Sequence, residues 1–280
     1  MKSLTIVTTW GPKYWPKPVQ AGIQSTVENW PGHAKILLYP DDMSQQLDLP
    51  RTEYYDLCKE QPKLKEFIER HKNNPKYNPR IKQNTKEQKD FDKNTQIYIY
   101  DAVRFSYKVF ACIDAYQRTK PDMLWFLDAD IVTFEKIPMS WLEHIIPDTA
   151  FTSYLGRPKK GFSETGYYAF NTAHKYAGEF FERWQTYYDK DRFLELKGYT
   201  DSFTFDGARI ELEKEGKIKN EDLNDGRWAG GRRSRHPFIN SELGQYMDHL
   251  KGYDRKAAMT SKKRDLTTKQ SHPYWKTLKD

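Results

Sequence analysis

The 280-residue sequence predicts a single α/β domain, interrupted by a basic insertion and closed by a basic C-terminal tail. Three observations predict it. Residues 4–9, 19–30 and 34–39 read as strand, helix and strand, the opening of a sheet whose strand ends suit a nucleotide. A wholly apolar run, Met123-Leu124-Trp125-Phe126-Leu127, then carries the chain straight into Asp128-Ala129-Asp130. Between the two, residues 51–95 break the pattern with charge and proline.

Each element follows from local chemistry. Leu4 to Val7 is a buried strand running into the polar Thr8-Thr9. The helical spacing of 19–30 is stopped by Pro31-Gly32, and the strand 34–39 is closed by Pro40-Asp41-Asp42. Within the insertion, a charged helix is expected as far as His71, broken or kinked at Pro62, followed by an exposed loop rich in Asn, Lys, Pro and Gln. Ile99, Ala102, Val103, Val109, Phe110 and Ile113 recur at three- and four-residue steps, so they share one face of a partly buried helix. After the strand at 123–127, helices are expected at 139–146, 173–188 and 206–216, a strand at 150–154, and a Gly/Arg-rich loop at 226–235. The domain is taken as residues 1–260, and 261–280 as a weakly patterned basic tail.

The composition narrows the function. With 19 Tyr, 15 Phe and 8 Trp, the chain has aromatic faces for filling a core or stacking on sugars and bases. No apolar window is long enough for a transmembrane helix, and the first residues lack a secretory apolar region. Cys58 and Cys112 are the two cysteines, which excludes a zinc ribbon and argues against a disulfide scaffold. A cytoplasmic location, or the host cytoplasm for a viral protein, is expected, with no stable membrane insertion. The net charge of +7 is concentrated: residues 70–93 carry eight Lys/Arg against three acids, and 226–276 twelve against four. That is the footprint of a polyanionic partner, and equally of a solvated surface with phosphate contacts to a small ligand.

Asp128-Ala129-Asp130 carries the sharpest chemistry. Two carboxylates two residues apart, where a buried strand ends, can address one hard cation such as Mn²⁺ or Mg²⁺ and leave positions open for diphosphate oxygens. The helix from Asp101 to Lys108 followed by Trp125-Phe126-Leu127-Asp128-Ala129-Asp130 resembles the nucleotide-sugar core of GT-A-fold glycosyltransferases, most nearly the glycogenin and bacterial galactosyltransferase branch. His249-Leu250-Lys251-Gly252-Tyr253-Asp254-Arg255-Lys256 is similar to that family's H-x-x-G-x-x-K, with Arg255 at the Lys position and Lys256 one residue later.

The resemblance implies a Rossmann-like GT-A domain with a mixed central sheet, a nucleoside-diphosphate sugar donor (UDP-sugar favoured) and a divalent metal. It also implies roles for residues. His249 would complete the metal site of Asp128 and Asp130. Thr8, Thr9 and Trp10 would meet base and ribose, and Gly252 with Arg255 or Lys256 the diphosphate. Arg104 and Lys108, one helical turn apart, would meet the diphosphate or orient Asp128. Asp201, in Tyr199-Thr200-Asp201-Ser202, and Glu164 are the candidate catalytic carboxylates, either of which could instead cap a helix or pair with a cation.

The favoured acceptor is a hydroxylated base in phage DNA, with Lys76, Arg80, Lys82, Arg232, Arg233 and Arg235 as contacts to the double strand. A surface-glycan or lipopolysaccharide acceptor is the alternative. Outside the class, Leu127 to Thr133 also resembles the first motif of haloacid-dehalogenase phosphatases, and a non-enzymatic nucleic-acid-binding module would account for the charge alone.

Overall fold

The computed structural model describes residues 1–82, 97–157, 161–224 and 236–278. A seven-stranded sheet forms the centre, built from β1 (Leu4–Trp10), β2 (Lys35–Pro40), β3 (Thr52–Tyr54), β4 (Met123–Leu127), β6 (Thr152–Leu155), β7 (Glu164–Asn171) and β8 (Asn220–Asp222), in the order β3-β2-β1-β4-β7-β6-β8. β7 runs antiparallel to both β4 and β6, while the remaining pairs are parallel, so the sheet is mixed as expected. A separate antiparallel ribbon joins β5 (Ile131–Thr133) to β9 (Met247–His249).

The two-residue period of the strands divides the core. Val7, Leu37, Leu124, Phe126, Tyr168 and Phe170 face one side. There they pack on α3 (Pro62–His71), α4 (Ala102–Thr119), α6 (Ala177–Asp189) and α7 (Asp201–Lys214), through residues such as Phe67, Phe110, Trp184 and Phe205. Ile6, Ile36, Leu38, Trp125, Leu127 and Tyr167 face the other side, against α1 (Val19–Asn29) and α5 (Met139–Ile145). Full burial of each large apolar side chain contributes roughly 2–3 kcal/mol, so both faces hold the sheet.

The expected strands and helices at 4–9, 19–30, 34–39, 123–127 and 139–146 are found within a residue or so of their expected ends. Pro62 separates the short α2 (Leu57–Glu60) from α3, whose first position it occupies at no cost in hydrogen bonds. Other elements differ. The insertion contributes an edge strand, β3, and Ile99 belongs to a separate turn of 3-10 helix rather than to α4, which starts after Asp101 accepts from the Arg104 N–H. Glu164–Asn171, for which no element is expected from the sequence, is an interior strand. The segment after Ser261 is not loosely attached: Trp275 and Leu278 are buried against the α1 side of the sheet. No helix among the described residues is long and apolar enough to cross a membrane.

Topology places the site. β1 and β4 are parallel neighbours, and the connections leave in opposite directions on either side of them, the switch point at which open α/β sheets bind ligands. The carboxyl ends of β1 and β4 therefore share one edge with the amino end of antiparallel β7.

Candidate metal and donor site

At that edge the chain leaves β4 in a tight turn. The Asp128 N–H donates to the Gly166 carbonyl at 2.8 Å and the Ile131 N–H to the Asp128 carbonyl at 3.0 Å. α1 lies directly against the turn: a Cβ on Gly22 would sit 2.5 Å from the Ala129 carbonyl oxygen, so only glycine fits there. β5 then pairs with β9 so that Ile131 is opposite His249, and Leu250 N–H reaches the Asp130 carbonyl at 3.0 Å. A residue about 120 positions later is thereby brought onto the two carboxylates.

Asp128, Asp130 and His249 each offer a ligand atom, and these atoms lie within 4.8 Å of one another. His249 Nε2 is 3.4 Å from Asp130 Oδ1 and 3.7 Å from Asp128 Oδ2. Two oxygens and one imidazole nitrogen, on a partly open edge, fit a Mn²⁺- or Mg²⁺-type cation that keeps further positions free. The ring of His249 is fixed by what lies behind it, since a Cβ on Gly166 would fall 2.6 Å from its Cε1. Replacing Gly166 by Ala is expected to push the imidazole off the carboxylates and weaken Mn²⁺ binding about 10-fold, as loss of ligand support commonly does. Titration of Mn²⁺ into the variant checks this, and an unchanged affinity would show that the ring position does not matter.

Two lysines balance the carboxylates. Lys108 Nζ lies 2.6 Å from Asp128 Oδ1 and 3.3 Å from Asp201 Oδ2, and donates to the Thr165 carbonyl at 3.1 Å. Burial works against its charge, yet these two carboxylates outweigh it and raise the lysine above its ordinary value. Lys256 pairs with Asp130 Oδ2 and lies over the Tyr14 ring, 4.3 Å from its centre. Burial raises the Asp128 carboxyl, opposed by Lys108, while the Asp130 charge adds to the rise. At Asp130 burial acts the same way, but His249 and Lys256 prevail and hold the carboxyl well below its usual range.

The remaining residues singled out in the sequence separate into those at this edge and those held elsewhere. Arg104 donates to the Tyr14 hydroxyl at 2.9 Å, in front of the same opening. Thr8 Oγ1 is buried and has no hydrogen-bond partner among the described residues, whereas Thr9 Oγ1 donates to the Tyr39 carbonyl at 2.7 Å. Trp10 is buried, stacked on Trp15, with its indole N–H on Gln45 at 3.1 Å; it fills core rather than offering a face to a base. Gly252, at φ +87°, makes the left-handed turn that opens α8 (Tyr253–Ala258). Arg255 turns away and forks onto Asp265, leaving Lys256 as the cation at the site.

Asp201 begins α7 and is 1% exposed. It accepts from the Tyr168 hydroxyl at 2.7 Å, and its Oδ1 has no hydrogen-bond partner among the described residues. Glu164 is clasped by Arg157 at 2.8 Å and Lys251 at 2.5 Å. Burial would raise its carboxyl, but those two cations hold it well below the ordinary range. Of the proposed acceptor contacts, Lys76 is exposed and Arg80 is paired with Asp101 at 2.7 Å; Arg232, Arg233, Arg235 and the Lys82 side chain lie outside the described residues.

Sequence reasoning did not single out Gly22, Gly166, Tyr14, Arg157 or Lys251. A glycine inside a helical stretch, as at Gly22, was the signal within reach.

In sequence comparisons the chain matches no protein-family model and no curated protein. Among solved structures it is similar to apo xyloside xylosyltransferase 1 of mouse, at a TM-score of 0.46 and 10% identity over 80% of this chain and 86% of that one. It is also similar to the glycosyltransferase GlyE of Streptococcus pneumoniae, at 0.44 and 10% over 91% and 56%. The bifunctional glycosyltransferase WbbM, in its apo structure, gives 0.47 and 10% over 90% and 46%. The chain thus spans about half of the latter two and most of the first.

Proposed function

We propose that the chain is a metal-dependent glycosyltransferase that moves a sugar from a nucleoside-diphosphate sugar to an acceptor hydroxyl. One observation carries the reading: the ligand atoms of Asp128, Asp130 and His249 converge at the carboxyl edge of a nucleotide-type sheet. When bound, a divalent cation there neutralises charge on a leaving nucleoside diphosphate.

The chain's own residues fit the other tasks. Lys256 supplies positive charge beside the carboxylates, as a point charge that can exchange Asp130 for a phosphate oxygen, and Arg104 bonds the same Tyr14 over which Lys256 lies. The Thr8 hydroxyl, near the end of β1, is buried without a hydrogen-bond partner among the described residues, which is what supports a role for it toward the donor. Lys108 bridges Asp128 and Asp201, which sets the distance between the metal end of the site and the sugar end. Asp201, whose buried Oδ1 has no hydrogen-bond partner among the described residues, is the better candidate for the sugar end, whereas Glu164, already clasped by two cations, suits an anchor better than a proton acceptor. UDP is the favoured carrier, by resemblance to the glycogenin-like family.

For the acceptor, the concentration of Lys and Arg supports a hydroxylated base in phage DNA over a surface glycan. A salt-dependent gel shift of duplex DNA supports that choice, and absence of binding at low salt removes it. A haloacid-dehalogenase-type phosphatase would need a later acidic pair beside its first motif, and it is disfavoured because Asp222, a candidate for that pair, lies on β8, two strands beyond the strand flanking β4, where it accepts from the Gly156 and Asn224 N–H groups.

The test is hydrolysis of a panel of nucleoside-diphosphate sugars with Mn²⁺ and with a chelator. Turnover of one donor that needs the metal supports the reading. Equal turnover with the chelator, or phosphate release from simple phosphomonoesters instead, overturns it.

A further inference from the structure

The sequence suggests no role for the C-terminal segment beyond its charge, yet its hydrogen bonds gather on one strand. Within β9, Asp248 and His249 point to opposite faces, as successive strand residues must. His249 faces the carboxylates. Asp248, wholly buried, faces away and accepts three hydrogen bonds: from the Ser261 N–H at 2.7 Å, the Ser261 hydroxyl at 2.5 Å and the Tyr274 hydroxyl at 2.8 Å.

Those donors are themselves anchored. The Tyr274 ring stacks on Phe134, just after β5, at 4.2 Å and 8°. The Trp275 indole N–H donates to the Gly244 carbonyl at 2.7 Å, just before β9. The β5–β9 ribbon is therefore gripped from behind by residues 261–275, while its front carries the cluster of Asp130 and His249. A second clamp follows. Asp265 accepts the Arg255 fork and the Lys262 N–H at 2.8 Å, which turns Arg255 out and leaves Lys256 facing Asp130.

We propose that the C-terminal segment is the positioning element of the metal site, with Asp248 and Tyr274 as the residues that seat His249 against Asp128 and Asp130. A carboxylate with three donors is a rigid joint, and β9 is only three residues long, so the joint sets where its neighbour stands. The proposal rests on the reading of His249 as a metal ligand.

Tyr274→Phe tests it in the full-length chain, because the ring and its stacking on Phe134 are kept and one hydrogen bond to Asp248 is lost. The matched control is Tyr187→Phe, which removes a comparable 2.7 Å bond to Glu211 on α7, far along the chain from β9. Both variants are compared by thermal denaturation without metal and by Mn²⁺ titration. Tyr274→Phe is expected to weaken Mn²⁺ about 10-fold, the scale seen when support behind a metal ligand is removed, while Tyr187→Phe binds as the wild type does. Equal Mn²⁺ affinity of Tyr274→Phe and wild type overturns the proposal, as does an equal loss in both variants, which would mark general destabilisation. Absence of Mn²⁺ binding by the wild type overturns the ligand reading and this proposal with it.

Discussion

Asp130→Ala is expected to lower metal-dependent turnover of the nucleotide-sugar donor by about 10³-fold while leaving the fold nearly intact. A bound cation supplies several kcal/mol of charge stabilisation to a leaving diphosphate, and each 1.36 kcal/mol is tenfold in rate. Asp130 offers an oxygen to the proposed cation and is the residue at which His249 and Lys256 meet. Its removal costs the protein little because Lys256 is 21% exposed and keeps access to water. It also relieves the repulsion that Asp130 exerts on Asp128. Steady-state hydrolysis with Mn²⁺ and thermal denaturation measure the two halves of the prediction. Wild-type turnover in the variant would remove Asp130 from the chemistry.

The second large effect is on stability. Lys108→Met keeps most of the aliphatic stem but deletes a cation shared by Asp128 and Asp201, and Asp201, 1% exposed, has no access to bulk water. Breaking a buried ion pair from one side costs about 3–5 kcal/mol, because a charge is left without its counterion. At roughly 2–4 °C per kcal/mol for a chain of this size, the midpoint of thermal unfolding should fall by about 10 °C or more. Adding Asp201→Asn to Lys108→Met should restore part of the loss, since a neutral amide needs no counterion. A single variant as stable as the wild type would mean that water replaces the lysine and that the bridge has no structural weight.

The legible parts of this molecule were those with strong periodicity or strong punctuation. The all-apolar run 123–127 could be little other than a buried strand, and Pro31-Gly32 could only stop the first helix. The carboxylate pair was visible for the same reason: it stands where burial ends. His249 was reached through the glycine and cations that follow it, although between Arg255 and Lys256 the sequence could not choose. In the structure Asp265, a tertiary partner with no local signature, takes Arg255, while Lys256 pairs with Asp130.

β7 was missed because it opens on Glu164 and Gly166, which strands disfavour; the strand owes its place to pairing on both sides, with β4 and β6. β5, β8 and β9 are three residues each, shorter than any period can announce. The contacts of the basic tail were the least legible. Lys263, Arg264, Lys269 and Lys276 are exposed, but Ser261, Tyr274 and Trp275 are spaced irregularly and bind groups set by the rest of the fold.

Asp128, Asp130 and His249 are proposed together to hold a divalent cation. Mn²⁺ titration followed by electron paramagnetic resonance reads it directly, on the wild type and on His249→Ala. One Mn²⁺ bound per chain is expected, lost or greatly weakened in the variant. Equal binding by the two proteins, or none by the wild type, would contradict it.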